Sequence, residues 1–305
     1  MSQTTSHLLM IRPASFGFNE QTAESNAFQQ RNPAQQEVQQ KALQEFDAFV
    51  TLLTNHGLDV TVIEDTAEPQ KPDAVFPNNW VSFHENGDVL MYPMQAENRR
   101  LERNESVIRR LEERFKVNHI IDLSRFEVQH KFLEGTGSMV LDRENNIAYA
   151  CLSPRTDAEV LKTFCEHLQY KAVTFKAVDA KDQAIYHTNV MMCIGTEFTV
   201  ICLDSIKYKT EREQLIQTLK DTKKEIVAIT IDQMNHFAGN MLEVNNKDGQ
   251  SLLVMSQSAH RSLNPEQIRV LEQYTKIISA DLNTIETIGG GSARCMLAEV
   301  HLPVV

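Results

Sequence analysis

The 305-residue chain is organised by a repeated cycle of strand, tight turn, strand, helix and strand. The period is about fifty residues, a spacing that signals propellers or other arrays of one supersecondary unit. Turn chemistry marks each cycle. Asn86, Gly87 and Asp88 separate strand-like stretches at 73–84 and 89–92. The turn 143–146 separates 138–141 from 147–152, Gly195 to Glu197 separate 190–194 from 198–203, and 246–249 separate 240–244 from 251–256. Helix faces follow: Leu101, Ile108, Leu111 and Phe115; then Ala158, Leu161, Cys165 and Leu168; then Leu215 and Leu219; and a last helix opened by Asn264 and Pro265. Strands at 119–123, 173–178, 226–231 and 277–280 close these units. The chain opens with a strand at 7–13, a helix begun by Asn32 and Pro33 with Val38, Ala42, Phe46, Phe49, Val50 and Leu53 on one face, and a strand at 60–63; a final strand is read over 295–302. Five such units around an axis predict one α/β domain over 1–305, a five-bladed αβ propeller with no linker, whose site residues come from strand ends and loops at one mouth.

Composition narrows the function. At 42% hydrophobic and 23% charged residues, the chain reads as a soluble globular protein. A net charge of -11 argues against nucleic acid, whose binding rests on Lys and Arg. No apolar run is long enough for a membrane helix, and the polar stretch 1–7 lacks the signal-peptide pattern, so a cytoplasmic location is expected. Five cysteines without a Cys-x-x-Cys pair support neither a disulfide framework nor a zinc site. Gly135, Thr136 and Gly137 run on to Val140, where a dinucleotide fingerprint needs its third small residue, and Gly-x-Ser-x-Gly is absent. No cofactor or metal is expected.

Chemistry concentrates at the heads of the cycles. Gly289, Gly290 and Gly291 precede Cys295, and such a run lets the backbone approach a ligand and offer N–H groups to an oxyanion. The plainer account is a glycine-rich turn before a buried thiol. A nucleophilic cysteine needs a histidine to hold its proton and a carboxylate to orient that histidine. His187, in Tyr186-His187-Thr188-Asn189, and Glu134, in Leu133-Glu134-Gly135-Thr136-Gly137, occupy corresponding points of two other cycles. In a radial repeat these positions converge, which favours a Cys295, His187 and Glu134 triad over a core histidine and a solvated carboxylate. His236, ahead of Asn240 at the fifth cycle, is the rival histidine. Cys151, Cys165, Cys193 and Cys202 lie on strands or a helix face and read as small core residues.

These motifs, with Pro72-Asp73-Ala74-Val75-Phe76-Pro77-Asn78-Asn79, resemble the pentein, or amidinotransferase-like, superfamily over nearly the whole chain. Within it the sequence is similar to the citrulline-utilisation hydrolases, partly through Phe18-Asn19-Glu20-Gln21-Thr22-Ala23. The resemblance implies a five-bladed αβ propeller. It also implies Cys295 as nucleophile, His187 as acid and base with Glu134 as its partner, Asp73, Asn78 and Asn79 at the substrate's reacting end, and Arg99 and Arg155 on its carboxylate. The chain departs from many guanidino-modifying relatives in having Asn79 in place of an acidic residue, and from deiminases in having Asn189 in place of the Asp of His-x-Asp. An asparagine amide can donate to the carbonyl of a neutral ureido group, which an ionised aspartate cannot do. The expected activity is cysteine-dependent hydrolysis of an arginine-like small molecule, with citrulline ahead of arginine. Amidino transfer uses the same residues, and a non-enzymatic propeller is the remaining alternative. A homo-oligomer is compatible with the sequence.

Overall fold

The structure, a computed structural model, describes residues 2–23, 26, 28–31 and 35–305. Its strands are β1 (His7–Arg12), β2 (Asp59–Glu64), β3 (Val81–Phe83), β4 (Asp88–Met91), β5 (His119–Asp122), β6 (Val140–Asp142), β7 (Ile147–Cys151), β8 (Lys171–Phe175), β9 (Met192–Ile194), β10 (Phe198–Ile201), β11 (Glu225–Ala228), β12 (Leu242–Asn245), β13 (Ser251–Ser256), β14 (Lys276–Ala280) and β15 (Ala298–Glu299). They form five three-stranded sheets, a mixed α/β arrangement consistent with a pentein fold. In four of them a short strand pairs antiparallel with its successor across a tight turn, and the successor pairs in parallel with a strand that returns after a helix. Parallel neighbours require such a crossover. In the fifth sheet β15 supplies the antiparallel member, with Leu8 opposite Glu299 and Leu9 opposite Ala298. The end of the chain therefore completes the sheet that its beginning starts.

Burial explains the order within a sheet. Every residue of β4, β7 and β10 is buried, whereas β2, β5, β8 and β11 keep exposed positions. The returning strand is thus the outer one, covered only on its helix side. Helix Gln35–Asn55 seats Val38, Ala42, Phe46, Phe49 and Leu53 against the first sheet, none more than 2% exposed. Helix Pro265–Leu271 starts as predicted, with a capping box between Asn264 and Gln267 and a proline in its first turn. The proposed start at Asn32 and Pro33 lies outside the described residues. Leu101 is half exposed and does not join the face of the helix Glu105–Glu112. Among the described residues no helix is long and apolar enough to cross a membrane.

The structure corrects the heads of the cycles. The stretch 73–84 becomes strand only at Val81, after a tight helical turn at Pro77–Asn79. Cys295 belongs to such a turn, Ala293–Met296, and only Ala298–Glu299 is strand. Gly135–Ser138 and Thr188–Met191 are helical turns ahead of β6 and β9, and the chain turns again before β12, where the Asn240 N–H donates to the Phe237 carbonyl at 2.8 Å. Neighbouring turns are bolted together. Thr136 Oγ1 donates to Asn78 O at 3.3 Å, Thr188 Oγ1 to Ser138 O at 2.6 Å, Asn240 Nδ2 to Asn189 O at 2.9 Å, and the Arg294 N–H to Asn240 Oδ1 at 3.0 Å. Buried polar groups paired in this way fix the turns relative to one another.

Candidate active site

The bolted turns carry the candidate residues. Glu134 is the residue before the turn Gly135–Ser138, its N–H donating to Ser138 Oγ at 2.8 Å. That hydroxyl in turn donates to the Arg155 carbonyl at 2.7 Å, so one serine sets both Glu134 and Arg155. His187 precedes the turn Thr188–Met191. Its ring packs close to Gly137, where a Cβ would stand 2.4 Å from Asn79 Nδ2 and 2.8 Å from His187 Nδ1. Only glycine allows that approach.

Glu134 and His187 form a tight pair, with 2.7 Å between Oε2 and Nε2. Glu134 Oε1 accepts the Gln95 N–H at 3.0 Å, and Arg155 and Arg99 stand 3.6 and 3.9 Å from Oε2. Burial would raise the Glu134 carboxyl, but Arg155 first, then the His187 hydrogen bond, overcome it and hold the group at about 2. Burial drives the His187 imidazole down, against the pull of Glu134, to about 4. At neutral pH the pair is therefore a carboxylate and a neutral imidazole. Because the carboxylate only accepts, Nε2 carries the proton and Nδ1 keeps its lone pair.

Cys295, His187, Asp73, Asn79, Arg99 and Arg155 line one cavity with Gly289 to Gly291, Asn26, Phe76 and Tyr186. Its volume is about 20 Å³, room for a single water. Asn26 and Gln29 close the cavity. Asn26 Nδ2 donates to Gly290 O at 3.3 Å and Gln29 Nε2 to Gly289 O at 3.0 Å. A larger cavity of about 380 Å³ adjoins it, with Tyr186 in both walls, but contains none of the triad candidates. The thiol and the imidazole lie together in the smaller one.

Several expectations change in detail. No hydrogen bond joins His187 to Cys295. The partners of Sγ are Asn240, with Nδ2 at 3.3 Å and Oδ1 at 3.6 Å, and Asn189, with Nδ2 at 3.6 Å. Asn189 thus faces the thiol. The Gly290 N–H is taken by the Glu286 carbonyl and the Cys295 N–H by the Ser292 carbonyl, at 3.0 Å each, because both close helical turns. Neither is free for an oxyanion. Arg99 is forked onto Glu102 at 2.8 and 2.9 Å and donates to Asn79 Oδ1 at 2.9 Å. Arg155 donates to Thr22 O at 3.0 Å and stacks its guanidinium 4.9 Å from the Tyr186 ring centroid. Asn78 is buried beside Asn79, its Oδ1 accepting from Asn79 Nδ2 at 3.1 Å, and does not line the cavity. His236 is half exposed and turned onto the Asp232 carbonyl of its own turn, away from the thiol.

The residue that sequence reasoning missed is Asn240. It heads the fifth cycle, and the repeat that pointed to Glu134, His187 and Cys295 points to it as well. The four remaining cysteines are buried. Burial pushes Cys151 and Cys193 up to about 12 and Cys165 to about 11, as fits core thiols. Among the described residues no cluster of ligands could hold a metal ion.

Fold and sequence together define a member of the pentein, or amidinotransferase-like, superfamily of arginine-modifying hydrolases. The profile of the family described as N,N dimethylarginine dimethylhydrolase, eukaryotic, matches residues 12–302, and the chain belongs to that family. Among solved structures, it is similar to the substrate-bound N-terminal domain of ArgZ, an arginine dihydrolase from the ornithine–ammonia cycle in cyanobacteria, at 16% identity and a TM-score of 0.76 over 98% of this chain and 99% of that one. AgrE in complex with L-arginine gives the same identity and TM-score, with 98% of this chain but 40% of AgrE covered. A dimethylarginine dimethylaminohydrolase adduct with S-methyl-L-thiocitrulline is 15% identical at a TM-score of 0.66, covering 97% of this chain and 99% of that one. At these identities the likeness shows the fold. No protein of curated function matches the sequence.

Proposed function

We propose that the chain is a cysteine hydrolase that cleaves the substituted C–N bond of a ureido group, with citrulline as its preferred substrate and ornithine, carbon dioxide and ammonia as products. In this reading the five sheets are the blades of one propeller, and the bolted turns bring Cys295, His187 and Glu134 to a single mouth. The observation that carries the substrate preference is Asp73. Its Oδ2 accepts from Asn19 at 2.7 Å, while its Oδ1 is buried with no partner. Burial raises its pKa, ahead of the opposing pull of Arg99. The Glu134 and Glu102 carboxylates are already engaged with His187, Gln95 and Arg99. One open acceptor suits one NH2 of a neutral carbamoyl group, whereas a guanidinium brings a full charge and up to five donors.

The reaction follows from the positions. The Cys295 thiolate attacks the ureido carbon, and the carbonyl electron pair moves onto oxygen. Collapse of that intermediate breaks the C–N bond to the ornithine chain. The leaving nitrogen takes from His187 the proton that the thiol released. Water, deprotonated by His187, then attacks the S-carbamoyl carbon. The C–S bond breaks, the thiolate returns, and the carbamate decomposes to carbon dioxide and ammonia. Arg155 meets the substrate carboxylate, joined by Arg99 only where its fork onto Glu102 opens, and Glu134 steadies the imidazole through both steps. Access requires Asn26 and Gln29 to leave the Gly289 and Gly290 carbonyls, since an amino acid exceeds the closed cavity.

A guanidino substrate is the second reading, favoured by the family's description and by the arginine complexes of similar fold. Asp73 would then supply the counter-charge, and citrulline would be a product. Steady-state kinetics with citrulline and with arginine, following ornithine, citrulline and ammonia, decide between them. A higher kcat/KM on citrulline supports ureido hydrolysis; a higher value on arginine with citrulline accumulating overturns the preference. Product that appears only with an added acceptor amine would point to amidino transfer.

A further inference from the structure

We infer that Asn240 is a further catalytic residue, a fixed amide donor that stabilises the Cys295 thiolate, so that His187 is left for the departing amine and the attacking water. The inference rests on the reading of Cys295 as nucleophile. It starts from a gap: the imidazole assumed to hold the thiol's proton makes no hydrogen bond to Sγ. What Sγ does meet is amide, Asn240 Nδ2 at 3.3 Å and Asn189 Nδ2 at 3.6 Å.

The orientation of the Asn240 amide is dictated by its other partners. Its oxygen receives the Arg294 backbone N–H at 3.0 Å, and its nitrogen donates to the Asn189 backbone carbonyl at 2.9 Å. A backbone N–H can only donate and a carbonyl can only accept. Flipping the amide would therefore oppose two donors on one side and two acceptors on the other. With one hydrogen of Nδ2 given to Asn189 O, the second is available to Sγ, which stands 3.3 Å from Nδ2 and farther, at 3.6 Å, from Oδ1. Asn240 is 1% exposed and Cys295 6%, so water competes little. A hydrogen bond to a charged group in such surroundings is worth about twice a neutral one, and it favours thiolate over thiol. Asn189 adds a longer donor but has no second contact fixing its orientation, since its Oδ1 is buried without a partner.

The test is the pH dependence of thiolate absorbance in the ultraviolet, taken as the difference between the enzyme and its Cys295→Ser variant, which needs no reagent to enter the closed cavity. Asn240→Ala removes the donor but also the bolt to Arg294. Asn240→Asp keeps an acceptor for the Arg294 N–H and replaces the donor with a carboxylate. We expect the midpoint of Cys295 to rise by about one pH unit in Asn240→Ala and further in Asn240→Asp, with kcat reduced at neutral pH by about tenfold or more and KM little changed. Midpoints equal to that of the unmodified enzyme in both variants would overturn the role of Asn240. Turnover surviving in Cys295→Ser would instead overturn the nucleophile reading on which the role depends.

Discussion

Among the described residues are two buried glutamate and histidine pairs flanked by arginines, and by electrostatics alone they are near twins. In one, Glu134 meets His187 at 2.7 Å beside Arg155 and Arg99. In the other, Glu299 meets His301 at 3.4 Å, with Arg294 bonded at 2.6 Å and Arg143 at 3.7 Å. Burial drives both histidines down to about 4. Both glutamates are pulled below the usual carboxylate range by their arginines, against burial. A displaced pKa therefore does not tell a site from a strut. Their company does. His187 shares a cavity with the Cys295 thiol and with Asp73, whose Oδ1 is buried without a partner, whereas the cavity beside Glu299 and Arg294 holds no such carboxylate, and burial pushes the Cys193 thiol in its wall up to about 12. An unpartnered carboxylate oxygen beside a thiol is what sets the first pair apart.

The comparison breaks first at the thiol. Cys295→Ser should lower turnover by at least about 10³-fold while circular dichroism and melting stay close to those of the parent. The two histidines should then part company. His187→Gln should lose about 10²- to 10⁴-fold in kcat, the usual share of general acid and base catalysis. His301→Gln should keep kcat within about threefold, as no reacting group touches His301; comparable losses in the two would erase the distinction.

Stability should rank the pairs differently. Glu299→Ala leaves Arg294 and Arg143 buried without their counter-charge, and denaturant unfolding should show a loss of about 3–5 kcal/mol. In pH dependence the twins should agree. A histidine held at about 4 in the folded state, against an ordinary 6.5, gives stability that is fully present above 6.5 and lost as pH falls through 4, because the unfolded chain binds the proton first. His301→Gln should flatten the acid side of the stability curve by up to ~3 kcal/mol, measured by denaturant titrations between pH 7 and pH 4. An unchanged slope would mean that His301 takes up its proton over the same pH range in the folded and unfolded chain.

How much of this could be read beforehand differs between scaffold and site. Turn residues such as Asn86 with Gly87 and Asn246 with Gly249 stand in the hairpins they predicted, and Asn264 with Pro265 caps its helix. Local chemistry decides such features. The heads of the cycles were misread as strand, at 73–84 and at Cys295, because a single helical turn leaves no periodicity in an apolar stretch. Asn240 was passed over for His236 four residues earlier, since residue type drew attention to the imidazole. Only the ring of bonds between neighbouring turns shows which of the two faces the thiol. The forked contact of Arg99 with Glu102 spans only three residues, but the helix that carries Arg99 is a single turn and leaves no periodicity to announce it.

The central claim is that Cys295 carries the substrate's carbon during turnover. Acid-quenching the enzyme within its first turnover of citrulline and mapping its peptides by mass spectrometry tests this directly. The account predicts one carbamoyl group, on the peptide containing Cys295, absent from Cys295→Ser and accumulating in His187→Gln if water attack is slowed more than amine release. Ornithine formed at full rate with no adduct on Cys295, or an adduct on another cysteine, would contradict it.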